Sequence, residues 1–199
     1  MDHIGTNPIT GIEQAPYRST TTILHDGARV LIRPLCQSDT DRLSSYFRDL
    51  TSTIAYQRFH GFCHRPSAAA LRRMTNPNFS SHVGLIALLR ASEESENRIV
   101  AEGLYVSDSG SGVAELGLSV AGTHQRLGIG SLLLESLMGW ARSAGLVRID
   151  AEVLASNHCA SRFLSYRGFR SGGYPEGGVC RFFLPLGSPI GDRPAANDI

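Results

Sequence analysis

The sequence predicts one α/β domain, a mixed sheet with helices on its faces. Short β-rich runs recur along the chain, and segments with helical periodicity separate some of them. Their order is two strands, two helices, three strands, a helix, a strand, a helix and a terminal strand pair. A chain of 199 residues with 42% hydrophobic content has the size and composition of one domain with a real core. We place this domain at residues 19–187, between flexible arms at 1–18 and 188–199.

The first half of the chain carries clear turn and capping signals. Asp26-Gly27 lies between two β-rich runs in residues 21–33, which predicts a hairpin. A helix follows, with Ser38 or Asp39 as its N-cap and its apolar residues at helical spacing; these are Leu43, Tyr46, Phe47 and Leu50. Residues 67–74 predict a second, short helix, and residues 82–90 and 98–108 predict neighbouring strands.

The second half alternates strands and helices. Residues 112–120 predict a strand, and the helix that follows it ends at Gly145. This helix has one apolar face, formed by Ile129, Leu133, Leu137, Trp140 and Ala144. Residues 146–154 predict a strand, 157–167 a helix, and 168–186 a hairpin that completes the sheet.

Composition excludes several classes of protein. A net charge of +1 gives no field that would attract nucleic acid or a membrane surface. The N-terminus has no signal-peptide pattern, and no run reaches the ~18 apolar residues of a membrane span. Four widely spaced cysteines indicate a cytoplasmic protein with reduced thiols. The spacing of His60, Cys63 and His64 matches no standard metal site, so we expect no metal.

The segment Gln-Arg-Leu-Gly-Ile-Gly at 125–130 is the main functional signal. It lies between a predicted strand and a predicted helix, where free backbone amides and the helix dipole favour an anion. A plain turn at the start of a helix would use the same glycines. A dinucleotide fingerprint needs a third glycine where Leu133 stands, and a Walker loop needs a lysine after Gly130. Both nucleotide interpretations are therefore poor.

The pattern Gln125-x-x-Gly128-x-Gly130 resembles motif A of the GCN5-related N-acetyltransferases, the GNAT family. A second match follows in residues 156–169, where Asn157, Ala160 and Gly168-Phe169 resemble the family's Asn-x-x-Ala…Gly-Phe segment. Residues 24–59 resemble the start of the acetyltransferase domain of bacterial protein-lysine acetyltransferases. Together the resemblance spans residues 20–186. It implies the GNAT fold, with a mostly antiparallel sheet splayed at the site of acetyl-CoA.

The resemblance also implies which residues bind the co-substrate, acetyl-CoA. Backbone groups of Leu118 and Val120 would pair with the pantetheine arm as an added strand. Gln125 marks the motif, and the pyrophosphate would be held by the backbone amides that follow it, namely those of Arg126, Leu127, Gly128, Ile129, Gly130 and Ser131. Asn157 would hydrogen-bond the arm, and an asparagine there also suits a helix N-cap.

Acetyl transfer to an amine requires a base, because a lysine amine with a pKa of ~10.4 is protonated at neutral pH. Glu115 is our candidate: it lies in an apolar strand, where burial would favour proton uptake, and related protein acetyltransferases have a glutamate in a similar Ala-Glu context. A solvent-facing Glu115 is the alternative, and Glu102 is a second candidate base. The tyrosine that protonates the leaving thiolate in many family members is replaced by Leu164, and Tyr166 lies on another side of that helix.

The sequence thus predicts an acetyl-CoA-dependent N-acetyltransferase that transfers its acetyl group directly to an amine in a ternary complex. A protein lysine is the acceptor that the resemblance implies. A polyamine or aminoglycoside is the alternative acceptor, and a non-catalytic acyl-CoA sensor is the alternative function. No nucleic acid or membrane partner is expected.

Overall fold

A computed structural model describes residues 19–24, 27–60, 65–90, 98–108 and 110–187 of the chain. Eight strands form one sheet in the order β1-β2-β3-β4-β5-β6-β8-β7. The strands are β1 (Thr20–Ile23), β2 (Arg29–Pro34), β3 (His82–Arg90), β4 (Arg98–Ser107), β5 (Val113–Val120), β6 (Arg148–Leu154), β7 (Arg170–Ser171) and β8 (Val179–Pro185). The helices are α1 (Thr40–Asp49), α2 (Ser52–Phe59), α3 (Ala68–Met74), α4 (Ile129–Ser143) and α5 (His158–Tyr166). The predicted fold class is confirmed.

The sheet opens between β5 and β6. These two strands pair in parallel, whereas the other neighbouring strands pair antiparallel. Their pairing covers only three positions and ends where Glu115 lies beside Asp150. Both strands continue past this point, so their carboxyl-terminal halves diverge and leave an open edge on each side. This is the splay that the resemblance described above implies.

The two faces of the sheet are covered by separate apolar clusters. One cluster packs α4 and α5 against the sheet and includes the buried residues Leu133, Leu137 and Ile149. The other packs α1 and α3 against the opposite face and includes Leu43 and Phe47. Because burial of an apolar side chain contributes about 1.5–3 kcal/mol, these clusters fix the helices firmly on the sheet.

Several predicted elements match the structure closely. β1 and β2 form the predicted hairpin, although Asp26 lies outside the described residues. Asp39 is the N-cap of α1 by its position, and Gly145, with a φ of 75°, ends the helical segment. The apolar face of α4 is confirmed except at Ala144, which is exposed because it caps the helix rather than lying within it.

Helix α2 is not predicted by the sequence pattern. Its N-cap is Thr51, whose side chain accepts a hydrogen bond from the amide of Ile54. Ala55 is its one fully buried residue, so it has no apolar stripe of the kind that predicts a helix. The helix nevertheless lies against β5, beside the open edge of the sheet. It contributes one wall of the site described below.

Some expectations fall on residues that the structure does not describe. Both predicted arms, 1–18 and 188–199, lie outside the described residues, as do Cys63 and His64 of the metal candidate. The described part of the chain contains no group of three or more candidate metal ligands. Within that part, no helix is long and apolar enough to be a transmembrane segment.

Candidate active site

The loop between β5 and α4 is held in a fixed conformation. The side-chain amide of Gln125 donates a hydrogen bond to the carbonyl oxygen of Val120 at 3.2 Å, which ties the loop to the end of β5. Arg126 has a φ of 65° and Gly128 a φ of 89°, both in the left-handed region. A non-glycine residue there is strained, so the surrounding structure imposes this backbone path. Successive backbone turns of this kind direct amide groups to one side.

The amino terminus of α4 presents unpaired amides to solvent. Gly128 is the N-cap and provides no capping side chain. Leu132 is the first residue whose amide bonds within the helix, to the carbonyl oxygen of Gly128 at 3.1 Å. The amides of Ile129, Gly130 and Ser131 therefore precede the intrahelical ladder and are available to an anion. This arrangement fits the pyrophosphate of a coenzyme A ester.

The open edge of β5 presents backbone groups to the gap in the sheet. The amide of Ala121 bonds to Val100 on the β4 side, and the carbonyl of Gly112 accepts bonds from the β6 side. Because backbone groups alternate along a strand, the amides and carbonyls of Leu118 and Val120 point towards the gap. They can pair with an extended chain, as an added strand does.

A groove with a volume of about 630 Å³ runs along these groups, and we call it the α4 groove. Its lining includes predicted site residues from β5, the loop, α4 and the start of α5, namely Leu118, Val120, Gln125, Arg126, Gly128, Gly130, Ser131 and Asn157. The structure thus brings together most of the predicted binding residues. The side chains of Leu127 and Ile129 pack into or against the core instead, so these two residues offer only their backbone to the groove.

Asn157 begins helix α5 on the far side of the groove. Its side-chain oxygen accepts a hydrogen bond from the amide of Ala160 at 3.1 Å, which confirms the predicted N-cap. The hydroxyl of Ser131 accepts a bond from Arg167, whose guanidinium also donates to Glu135. These contacts fasten α5 to α4 and fix the width of the groove.

A second, smaller opening of about 360 Å³ lies on the other side of α2, and we call it the Glu115 cavity. Glu115 lines it together with His60, Val106 and Glu152, among others. The prediction that Glu115 is buried is wrong: its side chain is exposed. Its partner strand β6 diverges directly after this position. Among the described residues, the carboxylate lies at the surface of this cavity.

The α4 groove and the Glu115 cavity meet at three residues, Gln57, Arg58 and Leu118, which line both. Gln57 and Arg58 belong to α2, the helix that the sequence pattern did not predict. A long ligand in the groove would therefore meet a molecule entering the cavity beside Arg58. We call this place the junction.

Arg58 is held by a buried carboxylate. Its Nε donates to Glu102 Oε1 at 2.7 Å and its Nη2 to Oε2 at 3.3 Å. The Arg58 side chain is 13% exposed, whereas Glu102 is fully buried. The hydroxyl of Ser119 also donates to Glu102, at 2.7 Å, and Tyr46 bonds to Ser119 at 3.0 Å. Glu102, the second candidate base, is thus occupied by these partners.

In this network Arg58 is charged and the hydroxyl of Tyr46 is neutral. Burial opposes ionisation of Arg58, but the attraction and hydrogen bonds of Glu102 outweigh it and raise the pKa of the guanidinium. Burial and the nearby charge of Glu102 raise the pKa of Tyr46, so its hydroxyl stays protonated. Because Ser119 donates to Glu102, Tyr46 is the donor to Ser119.

The position of the usual family tyrosine holds a core residue here. Leu164 is 5% exposed and packs within the apolar cluster of α4 and α5. Tyr166 is 83% exposed and is not among the described residues that line the groove or the cavity. Neither side chain can protonate a leaving group in the groove.

A splayed sheet, a helix terminus with free backbone amides and an open strand edge are the features of an acyltransferase that binds an acyl-coenzyme A. The sequence model of the Acetyltransferase (GNAT) family matches residues 47–169, which is more than half of the chain. The protein therefore belongs to the GNAT family of N-acetyltransferases. The match includes α2, the loop before α4 and the whole of α5.

Individual relatives agree with this assignment. An acetyltransferase of Pseudomonas aeruginosa is 28% identical over 150 residues, which cover 72% of this chain and 80% of the relative. The acetyltransferase Pat of Mycolicibacterium smegmatis is 24% identical over 138 residues, or 69% of this chain, and the match spans 40% of Pat. The crystal structure of the GNAT domain of S. lividans PAT superposes with a TM-score of 0.75 at 27% identity, covering 84% of this chain and 96% of that domain.

Proposed function

We propose that the protein transfers an acetyl group from acetyl-CoA directly to the side-chain amine of a protein lysine, with Glu115 as the general base. The observation that carries the proposal is the meeting of the α4 groove and the Glu115 cavity at the junction. A thioester lying in the groove and an amine entering the cavity would be in contact there. Direct transfer in a ternary complex needs this geometry, because no enzyme side chain then has to carry the acetyl group.

Binding of acetyl-CoA would use backbone more than side chains. The amides at the start of α4, from Arg126 to Ser131, would hold the pyrophosphate. Leu118 and Val120 would pair with the pantetheine arm along the open edge of β5, and Asn157 would face that arm across the groove. The apolar rim formed by Ile54 and Phe163 suits the hydrocarbon parts of the same arm.

Glu115 would remove the proton from the incoming amine. It lines the cavity three residues before Leu118, whose backbone faces the arm. An amine with a pKa near 10.4 is nucleophilic only after it loses a proton, and a carboxylate within reach, or one water away, can accept it. The exposure of Glu115 favours a water-bridged transfer, because solvent reaches the carboxylate. Glu115 returns this first proton to solvent through water, and the neutral nitrogen then attacks the thioester. The carbon–nitrogen bond forms as the carbon–sulfur bond breaks, and the second proton of the nitrogen passes to Glu115.

A protein lysine fits this cavity better than a large polar amine. The cavity has a volume of about 360 Å³, which suits a slender side chain whose protein stays outside. Glu115 and Glu152 line it beside one guanidinium, that of Arg58, so the carboxylates outnumber the guanidinium and favour a cationic substrate. The similarity to proteins named Pat and PAT supports the same choice. The cytoplasmic location that the sequence suggests stays a prediction.

The proposal is tested by incubating the protein with acetyl-CoA and a panel of amines, lysine peptides and folded proteins, followed by mass spectrometry. We expect acetylated lysines. Glu115→Gln should keep its affinity for acetyl-CoA and lose about 10²–10⁴-fold in rate. The matched control is Asp49→Asn, an exposed carboxylate that lines neither opening, which should leave the rate unchanged. Full turnover by Glu115→Gln would refute its role, and acetylation of polyamines alone would refute the acceptor.

The anion site has its own test, in a pair of glycines. Gly128 and Gly110 both have a positive φ, 89° and 86°, and both have free space where a side chain would begin. Only Gly128 lines the groove. Gly128→Glu should abolish binding of acetyl-CoA in calorimetry, because a carboxylate would enter the pyrophosphate site, whereas Gly110→Glu should bind normally. Retained affinity in Gly128→Glu would contradict the site.

A further inference from the structure

The departing sulfur of coenzyme A has no tyrosine to protonate it, because Leu164 is buried where family members often have one. A thiolate that leaves without a proton needs another source of stabilisation. The junction contains a positive charge at the place where the sulfur would lie. This inference rests on the proposed function of the site.

We propose that Arg58, held by Glu102, stabilises the negative charge of the coenzyme A thiolate as it leaves. Arg58 lines both the α4 groove and the Glu115 cavity, whereas the described linings of both omit Glu102. The ion pair is therefore a dipole whose positive end faces the reaction and whose negative end is buried behind it. A preoriented charge of this kind costs little reorganisation during the reaction.

Three contacts keep the dipole pointing this way. Glu102 is bound by Nε and Nη2 of Arg58, so the guanidinium plane is fixed by two bonds rather than one. Ser119, itself bonded to Tyr46, also donates to Glu102. These donors share the negative charge of the carboxylate and leave the positive charge of Arg58 less compensated at the junction.

Gly117 makes room for this arrangement. A Cβ atom at Gly117 would lie 2.7 Å from Cζ, Nη1 and Nη2 of Arg58, so the guanidinium rests directly on the backbone of β5. Glu115 and Leu118 lie two residues before and one residue after this glycine. The guanidinium is thus placed over the strand segment between the proposed base and the proposed pantetheine contact. Any larger residue at 117 would push it away.

Other titratable groups also face this region, and each must be considered in a pH experiment. Glu115 and Glu152, on β5 and β6, line the cavity with His60 at the end of α2. The groove is lined further along by His124, Arg126, His158 and Cys159. Of the charged groups named here, Arg58 alone lines both openings. Arg58 is therefore the cation that lies between the proposed positions of the sulfur and the amine.

The reaction then balances without a side-chain acid. The lysine ammonium first gives one proton to Glu115, which passes it through water to solvent. The neutral nitrogen then attacks the thioester carbon, and the carbon–nitrogen bond forms as the carbon–sulfur bond breaks. The second proton of the nitrogen passes to Glu115, and the sulfur leaves with the electron pair of the broken bond, beside Arg58. Water protonates the thiolate afterwards. Arg58 acts on the reacting sulfur, whereas Glu102 is a positioning residue.

The direct test is an ultraviolet titration of the thiol of coenzyme A bound to the intact protein, with the desulfo-CoA complex subtracted to remove the protein's own cysteines and tyrosines. We expect the pKa of the bound thiol to lie about one unit or more below that of free coenzyme A. Removing Arg58 alone would leave Glu102 buried without its partner and could unfold the chain. The test variant is therefore Arg58→Met with Glu102→Gln, which removes both charges and keeps a hydrogen-bonding partner for Ser119.

In the double variant the thiol pKa should return to that of free coenzyme A, while calorimetry shows bound coenzyme A. Arg58→Lys should keep part of the lowered thiol pKa, because it retains a positive charge at the junction. An unshifted thiol in the wild-type complex, or a shift that survives in the double variant, would overturn the inference while leaving the proposed function intact. Absence of binding to the wild-type protein would instead refute the proposed function.

Discussion

Among the described residues, two arginines pair with fully buried carboxylates, and the two pairs differ in what they face. In the first pair, Arg33 donates to Asp39 from both terminal nitrogens at 2.6 Å. In the second pair, Arg58 donates two hydrogen bonds to Glu102. Both carboxylates are fully buried. Chemically the pairs are almost the same, yet only the Arg58 pair borders the two cavities.

The surroundings of the pairs explain the difference. Asp39 also accepts hydrogen bonds from the amide and thiol of Cys36, so its oxygens close the turn between β2 and α1. Burial opposes ionisation of Asp39, but its bonds to Arg33 and Cys36 outweigh it and lower the pKa of the carboxyl. Glu102 instead supports a cation at the edge of an opening. A buried ion pair alone is weak evidence for stability or for chemistry, because desolvation offsets its attraction, and its position beside a cavity is what points to chemistry.

The largest effect on stability is expected at the first pair. Asp39→Ala leaves Arg33 without its partner and frees the amide of Cys36, so the free energy of unfolding should fall by about 3 kcal/mol. The transfer rate per folded molecule should not change, because neither Asp39 nor Arg33 lines the α4 groove or the Glu115 cavity. Urea denaturation and initial rates on the same preparation check both statements. A lowered transfer rate in the folded fraction of Asp39→Ala would show that the Arg33 pair also affects the reaction, contrary to the proposed difference between the two pairs.

A smaller effect, mainly on rate, is expected from Gly117→Ala. The new methyl group would displace the guanidinium of Arg58, because the free distance is only 2.7 Å. A shift of this size should lower the transfer rate roughly tenfold. The matched control is Gly139→Ala within α4, where a Cβ meets nothing within 4 Å and should stabilise the helix. Equal transfer rates in both variants would show that the position of Arg58 does not affect acetyl transfer.

The smallest effect is expected at a helix cap. Thr51 caps α2, which carries Arg58, and Ser67 caps α3 by the same type of bond, at 3.4 and 3.2 Å. Either residue changed to alanine should lose about 1 kcal/mol of stability. Thr51→Ala should also lower the rate by loosening α2, whereas Ser67→Ala should not. Thermal melts and initial rates on the two variants test this prediction. An equal loss of rate in both variants would contradict a specific role of α2.

The sequence predicts the strands and most helices of this domain well, because each has a clear local signal. Hydrophobic periodicity located α1 and α4, and Asp26-Gly27 located the first hairpin. The motif at 125–130 located one side of the groove, since the proposed pyrophosphate site is formed by the backbone of a contiguous loop. A feature formed by one contiguous segment can therefore be predicted from the sequence.

The features that sequence did not reveal depend on contacts between distant segments. Helix α2 buries only Ala55 fully and has Thr53 and Ile54, both β-branched, in its first turn, so neither pattern nor propensity marks it. The pairing of Arg58 with Glu102 joins residues 44 positions apart and depends on the register of β4. Alternation left the exposure of Glu115 open, and the splay of β6 decides it. The signal available for Arg58 was the match of its Tyr-x-Arg-Phe segment to the family.

The measurement that tests the account most directly is the single-turnover rate of acetyl transfer from a preformed acetyl-CoA complex in two matched double variants. One is Arg58→Met with Glu102→Gln, and the other is Arg33→Met with Asp39→Asn. We predict a loss of roughly 10²-fold in the first variant and an unchanged rate in the folded fraction of the second. Equal rates in the two variants would contradict the account, because the position of Arg58 at the junction would then have no consequence for transfer.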